Sequence, residues 1–157
     1  MRWLEHGPVG HVMRDTGVWT YAIVNLVHLF GIALLFGSIL VLDLRLLGVW
    51  RQTPLSFLSR PAVSVAGLGF ALAVTSGVGL LATKATEYIG NPFLLIKFPA
   101  IALALVNIAL VHRTQAWRVQ GERPLSGAEN RQLAMHAAVS LIAWTTAITA
   151  GRMIAYW

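Results

Sequence analysis

The sequence predicts an all-α membrane protein, a transmembrane four-helix bundle running up-down-up-down behind a short N-terminal interfacial helix. Three observations carry this expectation. Of 157 residues, 57% are apolar and only 11% charged, whereas a soluble domain carries about 25% charged residues. Mean hydropathy is +0.68. The apolar residues fall into four long runs, each able to cross ~30 Å of hydrocarbon at ~1.5 Å per residue, with short polar connections between them.

Residues 2–15 mix Trp3, Leu4, Val9, Val12 and Met13 with His6, His11 and charged neighbours. That is the pattern of an amphipathic helix lying in the interface, with Gly7–Pro8 as a break. No apolar run of signal-peptide type precedes the first span, which is therefore expected to be mature structure. Span one covers about 18–43. It has no Asp, Glu, Lys or Arg from Val18 to Leu42, and Trp19 and Tyr21 mark its entry at headgroup level. DLRLLGVWRQTP follows as an Arg-rich turn, and Thr53–Pro54 reads as a helix start. Span two covers about 61–83, with Gly69, Ala73 and Gly77 as a strip of small residues that permits close approach.

Asn91–Pro92 opens span three, about 92–113. It carries Lys97 near its start, a mild kink at Pro99, and Asn107 as a buried polar group in need of a partner. HRTQAWRVQGERPL reads as a polar connection, and Ser126 with Glu129 as a capping box that starts a helix near Gly127. Span four, about 133–156, carries a second small-residue ladder at Ala143, Ala147 and Gly151. All four spans form one integral domain, 1–157. The two ladders predict a homo-oligomer.

The formal net charge of +6 comes from arginines in short connections. That distribution sets topology and does not describe a nucleic-acid-binding face. Arg45, Arg51, Arg60, Arg113, Arg118, Arg123 and Arg131 gather on one side, against Arg2, Arg14 and Lys84 on the other. The first side is expected to be cytoplasmic, with both termini outside. The chain has no cysteine, which excludes disulfides, thiolate metal sites, iron–sulfur clusters and thioether-attached haem.

The chemistry is expected at histidines. His28 lies roughly 13 Å below the outer surface, counted from Trp19 at ~1.5 Å per residue. An ionisable side chain at that depth is a functional-site hypothesis by default. Neutral imidazole is a ligand for haem iron, copper and zinc, and bundle sites are built from inward side chains. Gly31, at i+3 from His28, removes bulk on the face where a porphyrin needs room. Trp144, Phe30 and Phe36 are candidate pocket walls, and Lys97 and Arg152 are candidate partners for haem propionates. His112 and His136 fall at similar depth on adjacent antiparallel spans and form a second candidate metal pair. His28 is too far from both, by on the order of 12–15 Å of helix rise. Asp43 calls for a cation. Arg45 points off that face, so Arg60 or Arg113 is the expected partner.

The stretches HLFGIALLFGSILVLDLRLLG (His28 to Gly48), NPFLLIK (Asn91 to Lys97), VHR (Val111 to Arg113) and GRMIAY (Gly151 to Tyr156) resemble a family of small bacterial four-helix inner-membrane proteins of unknown function. More distantly the chain is similar to copper-resistance D-type proteins and to four-helix b-type cytochromes. The resemblance implies the bacterial inner membrane, and haem or copper as ligand. His28, Lys97, His112 and Arg152 fall on the recurring motifs.

The resulting expectation is a membrane b-type haem protein for electron transfer or redox and gas sensing. One haem b sits at His28, with a second between His112 and His136 as an extension, and the redox partner is unspecified. The alternatives are copper or other small-molecule transport, with His6, His11 and Met13 at the outer face, and a structural accessory subunit without cofactor.

Overall fold

In a computed structural model, the described residues are 18–83, 86 and 88–156. The interfacial helix expected over 2–15 lies outside them, as do His6, His11 and Met13. The described residues form five α-helices and no strand. They are α1 (Val18–Leu47), α2 (Leu55–Thr83), α3 (Pro92–Arg113), the short α4 (Gln115–Val119) and α5 (Gly127–Met153), which closes in a 3-10 turn, Ile154–Tyr156.

Four of these helices are long and apolar enough to cross a membrane. Their most apolar windows are only 17% to 39% buried. Trp19, Leu26, Leu29, Phe30, Leu95 and Ile142 are all more than half exposed. Such an apolar outer surface suits hydrocarbon rather than water.

Helix boundaries follow local chemistry. α1 continues a full turn beyond Asp43, where the sequence reading ended the span, and stops at Gly48, whose φ of 107° favours glycine. Arg45 then closes the turn by donating from Nε to the Thr53 carbonyl (2.7 Å) and from Nη2 to the Arg51 carbonyl (3.1 Å). α2 begins one residue after Pro54 and runs unbroken through Pro61. α3 starts at Pro92 as expected. At α5 the capping box is present in both directions, Glu129 N–H to Ser126 Oγ and Ser126 N–H to Glu129. α4 was not expected. Thr114 caps it, its hydroxyl accepting from Trp117 N–H at 3.2 Å.

The described residues divide into two compact units, one within 18–36 and 65–91, the other within 37–64 and 92–156. In the first, α1 and α2 meet backbone to backbone at glycines. In the second, α3 packs along α5, and Leu42, Leu55, Ala62, Val111, Ala116 and Leu133 form an apolar core.

Candidate functional site

His28 belongs to the first unit, where α1 lies against the small-residue strip of α2. Its Nδ1 is 2.9 Å from the Ala73 carbonyl oxygen and 3.1 Å from Ser76 Oγ. Ser76 directs its own hydroxyl proton to the Leu72 carbonyl, so both groups present lone pairs to the imidazole. Nδ1 must therefore carry the proton, and the lone pair of the neutral ring falls on Nε2. Gly77 makes room for the ring: a Cβ there would lie 3.0 Å from His28 Cε1.

Gly31 has another task than the one expected. A Cβ at Gly31 would come within 2.6 Å of Ala73 N and 3.0 Å of Gly69 O. Its face is filled by the α2 backbone, and it opens no space beside His28 for a macrocycle. Gly69 reciprocates, its missing Cβ replaced by the backbone of Leu34 and Leu35. The α2 strip is thus consumed inside the chain. The α5 ladder is likewise turned inward: Ala143 and Ala147 are buried, and Gly151 lies against the Lys97 side chain.

The second unit holds the other candidates. His136 and Asn107 form a reciprocal pair: Asn107 Nδ2 donates to the His136 carbonyl at 2.9 Å, and His136 Nδ1 donates to Asn107 Oδ1 at 2.7 Å. Asn107 thereby finds the partner its burial requires. His112 goes elsewhere. Its Nδ1 donates to the Ile108 carbonyl one turn earlier (2.8 Å), and its ring packs on Trp117 with centroids 5.0 Å apart. The two histidines placed at one depth by the sequence thus take different partners. Trp144 is buried in this unit. Lys97 reaches Gly151, and the neighbouring Arg152 donates to the Tyr156 hydroxyl at 2.9 Å with its guanidinium 5.2 Å from that ring's centre.

Asp43 corrects an expectation. It is 5% exposed, with Oδ2 buried and without a hydrogen-bond partner, and the polar side chain beside it is that of Ser140 on α5. Neither Arg60 nor Arg113 reaches it: among the described residues the recorded ion pair is Arg123 with Glu129, at 2.7 Å. The helical register explains this, since α1 continues through Asp43 and turns that side chain toward α5. Ser140 lies one turn beyond His136 on the same helix, so the two polar pairs stack along one face of α5.

Among the described residues no three His, Cys, Asp or Glu side chains come together to hold a metal ion. A bare zinc or copper ion asks for three or four protein donors. A porphyrin supplies four nitrogens itself and asks for one or two axial ligands. A single deep imidazole with its proton on Nδ1 fits that smaller demand at the level of the donor.

Near the arginine-rich end of the second unit lies a cleft of about 690 Å³, walled by α2, α3 and α4. Sequence reasoning missed it. Its signal was nonetheless present in Ser56, Ser59, Arg60 and Ser64, a polar stripe at helical spacing on an otherwise apolar helix.

Four helices long and apolar enough to cross a membrane, with polar side chains paired among them, are consistent with a multi-pass membrane protein. The chain belongs to DUF6644, a family of unknown function, which it matches over residues 1–157. No curated protein and no solved structure matches it.

Proposed function

We propose that this is an integral membrane b-type haem protein in which the imidazole of His28 would hold the haem iron. The role is electron transfer or redox sensing. One observation carries the reading: the Nδ1–H of His28 is held by the Ala73 carbonyl, which puts the lone pair of the neutral ring on Nε2, the nitrogen that would coordinate. Histidines that ligate metals generally donate their other ring N–H to a carbonyl or carboxylate, which fixes the tautomer and ring orientation and raises basicity. Haem, when bound, supplies one-electron chemistry at its iron. The chain's part is to present Nε2, to hold the ring through Ala73 and Ser76, and to keep the segment in an apolar surrounding that excludes water.

The same two hydrogen bonds favour a second reading, a histidine that clamps α1 to α2 with no cofactor. Purified protein distinguishes them. A Soret band with stoichiometric iron, lost in His28→Ala and retained in His136→Ala, is the expected result. A colourless protein, or one whose His28→Ala variant keeps its haem, sinks the haem assignment and leaves the clamp. Copper without porphyrin on metal analysis supports the transport alternative instead.

A further inference from the structure

We propose that the cleft between α2, α3 and α4 binds a phosphate ester that carries a hydroxyl or ammonium group beside the phosphate. The cleft holds about 690 Å³, room for a headgroup-sized ligand. Two guanidiniums, Arg60 from α2 and Arg118 from α4, line it, and neither meets a carboxylate among the described residues. Two like charges facing one concavity raise the local potential and draw an anion. Guanidinium presents a planar fork of donors that matches phosphate oxygens in pairs.

The hydroxyls come from the same α2 stripe as Arg60. Ser56, Ser59 and Ser64 share the cleft-facing side at helical spacing. Ser59 is only 3% exposed. Ser64 spends its own proton on the Arg60 carbonyl at 3.0 Å, so the donors are the two forks with the Ser56 and Ser59 hydroxyls, still more than the two oxygens of a carboxylate can satisfy. The larger, tetrahedral oxygen set of a phosphate fits them better.

A second, independent observation defines the rest of the ligand. Gln120, in the cleft wall, donates from Nε2 to the Trp117 carbonyl at 2.9 Å, which fixes its amide orientation. Its Oε1 is then buried with no hydrogen-bond partner. An orphaned buried acceptor costs on the order of a lost hydrogen bond, and a turn of the Gln120 side chain toward the cleft would let a ligand hydroxyl or ammonium relieve it. Glu122, also lining the cleft, favours the same donor. The stacked His112 and Trp117 rings give the remaining wall an apolar face.

Such an ester can be a lipid headgroup or a soluble metabolite, and the test separates the two. Protein in a phosphate-free maltoside detergent is titrated with glycerol 3-phosphate, with inorganic phosphate and with acetate, following tryptophan fluorescence. In parallel, protein in nanodiscs of phosphatidylcholine, with or without phosphatidylglycerol, is examined by native mass spectrometry for retained lipid. Saturable binding is expected for glycerol 3-phosphate, for phosphatidylglycerol, or for both. Arg60→Gln and Arg118→Gln should each weaken it about tenfold, while Arg131→Gln changes nothing. Glu122→Gln should tighten inorganic phosphate, an effect in the opposite direction that misfolding cannot mimic. Binding of phosphatidylglycerol alone assigns the headgroup, and binding of the soluble ester assigns a metabolite. Absence of saturable binding in both arms overturns the proposal. So does equal binding of acetate, or indifference to both arginine substitutions.

Discussion

Asp43 shows what a buried charge-bearing group in an apolar helix must settle. Its carboxyl is 5% exposed, with Ser140 beside it and no ion pair to an arginine among the described residues. An arginine latch broken by an Asn substitution would cost about 3–5 kcal/mol, because it would strand a buried cation. With Ser140 as the partner, Asn at this position can still hydrogen-bond and leaves no charge behind. Asp43→Asn should therefore unfold within about 1 kcal/mol of the parent in detergent, as read by circular dichroism melting. A loss of several kcal/mol would reinstate the latch. His28 makes the complementary point. Its place inside a long apolar helix was legible from spacing alone, but the proton's location on Nδ1 was not, because Ala73 and Ser76 are 45 and 48 residues away.

Among the helices, the α1–α2 contact in the first unit is made by missing side chains. Gly31 sits where a Cβ would meet Ala73 N at 2.6 Å, and atoms that close in backbone have no rotamer to yield. Gly31→Val should therefore separate the helices locally and destabilise by about 1–3 kcal/mol, the usual cost of overpacking. Gly37, with nothing within 4 Å of its missing Cβ, should tolerate alanine with little change. Comparative melts of the two variants in the same detergent check this. The small-residue strip was visible in the sequence. That Gly69 in it meets the backbone of α1 depended on which face α1 takes, and periodicity on an almost uniformly apolar helix does not encode that.

For the molecule in its membrane, the arginine bias sets the expected orientation. Basic residues in short connections are retained on the cytoplasmic side. The connections around Arg51 and Arg118 should therefore face the cytoplasm, and the loop at Ile89 the opposite compartment. The chain contains no cysteine, so single substitutions report cleanly. Ile89→Cys should react with a membrane-impermeant maleimide in intact cells, and Glu122→Cys only after the membrane is opened. The reverse pattern would invert the topology and place the arginine-lined cleft outside.

Composition and run length were enough to establish the four membrane-length helices, because crossing hydrocarbon demands a stretch of apolar residues that little else produces. The caps at Pro92 and Ser126 were equally local, since a cap is written within four residues. The pairings were not. Asn107 with His136, Asp43 with Ser140, His28 with Ala73, and the polar stripe of α2 with α4 join positions far apart in the chain. Only packing decides them, because each polar group takes whichever neighbours the helix faces bring to it.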